Sequence, residues 1–137
     1  MITGIAHVNL TVPPGTLDQA NEFYANTLGF HRVPVPHLQR DTLAWFDITP
    51  KGQQIHIAFS NTPNDMAASR HPCFKLESPQ ALLECQQRVY EHFERGDAGA
   101  PKMADKPGEQ SSGAQGIEYP KRFFARDFAG NRLEFSV

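Results

Sequence analysis

Among the side chains of types that hold a divalent metal, four share a strand parity that turns them from the core: His7, His56, His71 and Glu134. His56 sits within QQIHIAF, residues 53–59, where Ile55, Ile57 and Phe59 alternate with Gln54, His56 and Ala58. That alternation is the pattern of a half-buried strand, and it turns His56 away from the core. The same parity places His7 with Ile5, Asn9 and Thr11, opposite Ala6, Val8, Leu10 and Val12. It places His71 with Cys73 and Lys75, opposite Phe74 and Leu76, and Glu134 with Arg132 and Ser136, opposite Leu133, Phe135 and Val137. A lone strand histidine is usually a surface or hydrogen-bonded residue, so the grouping carries the argument. Imidazole and carboxylate together suit Zn, Ni, Fe, Mn or Co.

The elements that must position these groups occur twice. Residues 4–12 read as a strand closed by Pro13-Pro14-Gly15, followed by a helix over residues 17–28 with Thr16 as its N-cap and Gly29 as its stop. Strands over residues 30–35, 43–48 and 54–59 follow. After the polar stretch SNTPNDMAASR the pattern restarts: a strand in HPCFKLES, a helix opened by Pro79 and ended by Gly96, then strands near residues 101–106, 122–127 and 131–137.

Marked positions correspond between the halves. His71 follows His7 by 64 residues, and His56 and Glu134 each lie four residues after a glycine, Gly52 and Gly130. The second pair is offset by 78 residues, so the second half carries 14 more. The Gly-, Ser- and Pro-rich stretch GDAGAPKMADKPGEQSSGAQGIEYP accommodates them, with residues 108–116 expected as a lid. This gives a single domain over residues 1–137, with modules of about 1–60 and 71–137 joined by a linker of about 61–70.

A chain of 137 residues buries about two thirds of its unfolded surface without help from metal or disulfides, so any metal would serve chemistry. Thirteen Lys plus Arg against fifteen Asp plus Glu, with no basic run, excludes the footprint of a nucleic-acid or anionic-membrane binder. Cys73 and Cys85 form no CxxC pair, and no stretch of about eighteen apolar residues or leader pattern occurs. The expectation is a cytoplasmic protein that acts on a small molecule.

The stretches IAHVNLTV, FYANTLGF, IHIAF, RHPCFKL and above all RFFARDFAGNRLEFSV, with its DxxGNxxE core, resemble the vicinal oxygen chelate superfamily over essentially the whole chain. That superfamily includes glyoxalase I, bleomycin and fosfomycin resistance proteins and extradiol dioxygenases. The resemblance implies an α+β fold of two tandem βαβββ modules, with curled mixed sheets forming a cup and helices on the outer face. It also implies one divalent metal ion held by His7, His56, His71 and Glu134, with Glu134 and His56 as catalytic groups, and a homodimer that shares the cup between chains.

Three activities follow from the resemblance. Glyoxalase-like isomerase or lyase chemistry runs through a metal-stabilised enolate, although glyoxalase I members usually carry glutamate where this chain has His56. Extradiol ring cleavage would use His7, His71 and Glu134 as an iron triad with His56 as acid/base, but Phe124 stands where ring-cleaving members carry tyrosine, and residues 97–122 contain no histidine. Drug-sequestering resistance members generally lack the full ligand set. Of the remaining candidates, some of Trp45, Phe46, Phe123 and Phe124 must pack against the helices. His31, His37 and His92 are expected in solvent, and Cys73 at the core edge.

Overall fold

The computed structural model describes residues 1–114 and 121–137. Its elements run β1 (His7–Val12), α1 (Leu17–Ala20) continued by a π-helical segment (Asn21–Thr27), β2 (His31–Val33), β3 (Leu43–Asp47) and β4 (Gln54–Phe59). The order then repeats as β5 (Cys73–Lys75), α2 (Pro79–Arg95), β6 (Met103–Ala104), β7 (Arg122–Arg126) and β8 (Arg132–Ser136). The strands form two open four-stranded sheets, ordered β1-β4-β3-β2 and β5-β8-β7-β6. In each, the outer pair is parallel and the other two pairs antiparallel. These are the two βαβββ modules expected from the sequence.

Local chemistry explains where the elements begin and end. Ser78 caps α2 by accepting from the Ala81 amide at 3.1 Å, Pro79 opens its first turn, and Gly96 closes it at φ 65°. Thr16 does not cap α1, because its hydroxyl donates to the Pro13 carbonyl at 2.7 Å. Past Ala20 the bonding widens, with the Leu28 amide donating to Phe23 five residues back at 3.0 Å. β5 and β6 are shorter than the expected strands, although Leu76 still donates to Ser136 and Asp105 to Phe124 at their ends.

One hydrophobic core draws on both modules. Ile55, Ile57 and Phe46 from the first sheet and Leu133, Phe135 and Phe123 from the second are buried in it with Phe23 and Tyr24 of the π-helical segment. At 2 % exposure or less each, these side chains contribute about 1.5–3 kcal/mol apiece through removal from water. The alternate residues of β1, β4 and β8 therefore present His7, His56 and Glu134 away from the core, and His71 lies two residues before β5, whose first residue Cys73 pairs in register with Glu134.

Candidate metal centre

On the first sheet, strand register sets His56 of β4 between Asn9 of β1 and Trp45 of β3. The His56 imidazole stacks on both neighbouring rings: His7 at 3.9 Å between centroids with planes 8° apart, and Trp45 at 4.4 Å with planes 9° apart. Gln54 donates through Nε2 to Asp47 at 2.7 Å, so its Oε1 accepts, and His56 Nε2, 2.8 Å away, is the donor. His56 Nδ1 keeps its lone pair. Burial between the rings, and secondarily the charge of His7, pushes the His56 pKa below the ordinary histidine range and favours the neutral imidazole that metals and protons seek.

On the second sheet, the Ser69 carbonyl lies 2.5 Å from His71 Nδ1 and can only accept, so Nδ1 donates. This leaves Nε2 aimed at Glu134, 2.8 Å from Oε2, while the other carboxylate oxygen accepts from Arg122 at 3.3 Å. A ring nitrogen oriented by a carbonyl on its far side, facing a carboxylate fixed by a second donor, is the arrangement of an oriented ligand pair.

The chain thus groups the four residues as two pairs, His7 with His56 and His71 with Glu134. Among the described residues no three His, Cys, Asp or Glu side chains are placed to hold one ion. The donor types fit a divalent ion, whereas the two ligands offered by either pair fall short of the three or four protein ligands such an ion takes.

Several other side chains lie where parity put them. Phe46 and Phe123 are fully buried in the core, while Trp45 and Phe124 stand on the ligand faces, Phe124 with its ring 5.4 Å from that of His71. Trp45 and Phe124 are equivalent, each paired in register with the ligand-type residue of the last strand of its module, His56 or Glu134. His31 and His37 are exposed. Cys73 corrects the expectation of a core-edge residue: it is exposed on the face of His71 and Glu134, beside Ser136, because its parity turns it away from Phe74, and partial burial still raises its pKa. His92 corrects the expectation of a solvated residue: it is 0 % exposed, accepting from Thr27 at 2.7 Å and donating to Asp97 at 2.9 Å. It completes the buried stripe Leu82, Cys85, Val89, His92, whose spacing of three, four and three is itself the signal for burial.

Sequence reasoning missed Asp127. Fully buried, its carboxylate accepts from Tyr24 at 2.6 Å and the Asn131 side chain at 2.8 Å on one oxygen, and from the Ala129 and Asn131 amides, both at 2.9 Å, on the other. Asn131 also donates to Thr11 of β1 at 3.0 Å. The spacing of DFAGN therefore has a structural cause: it builds the turn that launches β8, and with it Glu134, and fastens that turn to the first module. Gly130 completes the turn at φ 89°. The loop expected as a lid packs its described part on the ligand face: Asp105 accepts from Ser112 at 3.0 Å, and Gly113 lies so close to Phe124 that any side chain there would overlap the ring. Gln115 and Gly116, the end of that expected lid, lie outside the described residues.

No family model and no curated protein matches the sequence. Solved structures do. A protein of Bacillus anthracis assigned to the glyoxalase family is 28% identical, with 98% of this chain and 94% of that one covered at a TM-score of 0.67. The fosfomycin resistance protein FosX of Listeria monocytogenes is 18% identical, with 100% and 92% covered at 0.72. A glyoxalase/dioxygenase of Nostoc punctiforme is 20% identical, with 96% and 88% covered at 0.65. No helix of the described residues is long and apolar enough to cross a membrane. With two modules of identical strand order, matched end to end by these structures, the chain has the fold of these glyoxalase-family, FosX and glyoxalase/dioxygenase proteins, which is the fold that the resemblance to the vicinal oxygen chelate superfamily implies.

Proposed function

We propose that the protein is a divalent-metal-dependent cytoplasmic enzyme that performs glyoxalase-like isomerase or lyase chemistry on a small molecule with vicinal oxygens. The observation that carries this reading is the two side-chain pairs, His7 with His56 and His71 with Glu134, at equivalent places on two modules, which the proposal takes as half-sites. A symmetric homodimer in which the first module of one chain meets the second module of the other completes each site from both halves. FosX, which shares this fold, has been solved with Mn(II) and, in a variant, with Mn(II) and a dihydroxypropylphosphonic acid, a molecule with oxygens on adjacent carbons.

His71 and Glu134 of one chain, with His7 and His56 of a second copy, would hold the ion. Bound there, it would supply Lewis acidity toward two adjacent substrate oxygens. Glu134, oriented by Arg122, is the carboxylate that would take a proton from the neighbouring carbon on leaving the ion as substrate arrives, and the one lone pair of His56, on Nδ1, would serve either the ion or, in the alternative, as the second acid/base group. Ring cleavage by iron is the second reading. It is disfavoured because Phe124 offers only an aromatic face toward His71 where a ring-cleaving enzyme would place a hydroxyl.

Mixing two inactive variants tests the shared site. His7→Ala and Glu134→Ala homodimers should each lose tight Mn(II) binding. Refolded together at equal amounts, half the dimers are mixed, and each mixed dimer regains one intact site of two. Mn(II) stoichiometry should then return to about a quarter of wild type, which simple statistics of a twofold dimer require. A mixture that stays empty while wild type binds would place the site within one chain, and wild type that binds no divalent ion would end the metal reading.

A further inference from the structure

We propose that the ligand face of the second sheet selects an organic anion, with Arg132 as the anchor for its charged group; this rests on the reading that the His71–Glu134 face receives substrate. Register assigns the face. Met103, Arg126 and Arg132 form one cross-strand row; Phe124, Glu134 and Cys73 form the next; Arg122, Ser136 and Lys75 form the third. Their neighbours along the strands, Phe123, Ala125, Leu133 and Phe135, are buried on the other side. Four cations therefore share this face with Glu134. The matching rows of the first sheet, built from Asp47, Gln54 and His7, then Trp45, His56 and Asn9, then Leu43, Ala58 and Thr11, contain no Lys or Arg. In a chain of net charge -2 the positive field is local to one module.

Of these four cations only Arg122 has an anionic partner among the described residues, and Arg126 and Arg132 stand paired in one row. Arg126, 8% exposed, donates only to the carbonyls of Gly130 and Ala68, each at 2.9 Å. Arg132 lies over Phe124, its guanidinium carbon 4.4 Å from the ring centroid, and forms no ion pair with a described residue. Both line a cavity of about 420 Å³. Asp105 also lines it, with one carboxylate oxygen, Oδ2, accepting from both the Ser112 and Phe124 amides and no ion pair to either arginine among the described residues. The remaining walls include Met66, Phe93 and Met103, which are 43%, 36% and 48% exposed and gather here instead of scattering over the surface. A flat, ring-stacked guanidinium with its fork unclaimed, beside an apolar mouth, suits a carboxylate or phosphonate carried on an apolar group.

The test titrates the full-length protein, held in chelator, with phenylphosphonate, phenylacetate and neutral phenylacetamide, read by NMR shifts at low and high salt. At least one anion should bind, more weakly at high salt, and the amide should not; the tighter anion assigns the charged group. Arg132→Gln, which puts into β8 the residue that β4 carries at the equivalent Gln54, should weaken the anion about tenfold or more with an unchanged fold. Should that variant misfold, Arg132→Lys, which keeps the charge and loses the fork, must bind the anion more weakly than wild type. Equal binding of amide and anion, no binding of either anion, or wild-type affinity in a folded Arg132 variant overturns the proposal. Anion binding that requires added Mn(II) also overturns it, by assigning the anion to the ion. Binding in chelator stands whether or not the metal reading survives.

Discussion

Replacing Tyr24 by Phe removes one hydroxyl and tests how the two modules are fastened. The Tyr24 hydroxyl and the Asp127 carboxylate are both fully buried, 2.6 Å apart, and separated by 103 residues in sequence. A hydrogen bond to a charged group is worth about 1.5–3 kcal/mol. The Asp127 oxygen that loses Tyr24 retains the Asn131 side chain at 2.8 Å, so it is not orphaned, and Phe fills the same core space. A cost of about 2 kcal/mol follows. For 137 residues the unfolding entropy is about 0.3 kcal/mol/K, which converts that cost into a fall in Tm of about 7 °C.

The pH dependence has a definite sign. Burial raises the Asp127 pKa, against the opposing bonds from Tyr24, Asn131 and Ala129. A carboxyl whose folded pKa is raised contributes stability that is present below its unfolded value, about 4, and is lost as pH rises through the folded value. Removing the Tyr24 donor raises the folded value further and deepens that loss. Tyr24 itself, its own pKa raised well above the usual by burial and then by Asp127, stays protonated throughout. The gap between wild type and Tyr24→Phe should therefore be widest at pH 7 to 8 and narrow toward pH 4. Thermal melts followed by circular dichroism across that range decide it. A Tm loss under about 2 °C at neutral pH, or a gap that widens in acid, would refute the reasoning.

Three further outcomes are expected. Gly130→Ala forces a side chain into φ 89°, with its Cβ 2.7 Å from Met66 Sδ, and should cost about 1–2 kcal/mol, seen as a Tm drop of about 4–7 °C. Trp45→Ala opens one side of the His56 stack; because burial is the main cause of the lowered His56 pKa, its NMR titration midpoint should move up toward the ordinary value near 6.5, and an unmoved midpoint would show that Trp45 provides no desolvation. Mn(II) at about a hundred times its Kd should raise Tm by about 9 °C and chelator should reverse the rise.

Much of this architecture was legible because strand parity is a strict period of two. Alternation in QQIHIAF and in RLEFS assigned His56 and Glu134 to the face opposite the core, and the structure buries Ile55, Ile57, Leu133 and Phe135 accordingly. The helix ends at Gly29 and Gly96 were legible from backbone chemistry, both glycines having positive φ. Burial of His92 was missed because a polar side chain was judged by type and not by its place in the stripe from Leu82. Asp127 was missed for a different reason: its turn is local, but what buries it is Tyr24, a partner that no local pattern announces.

How the half-sites combine was not legible, because parity fixes which face of a sheet a residue occupies and says nothing about which sheets face one another. The register comparison goes further. Since Asn9 and Cys73, Gln54 and Arg132, His56 and Glu134, and Trp45 and Phe124 occupy equivalent places, the modules share a scaffold and differ in charge. The first presents stacked rings, amides and Asp47 with no Lys or Arg, the second a carboxylate among guanidinium groups. Neither face alone supplies both the imidazole pair and the charged pocket. In a dimer that joins unlike modules, each cleft would receive one face of each kind, so that metal ligation is divided between two chains while the cations that would hold an anionic substrate come from one.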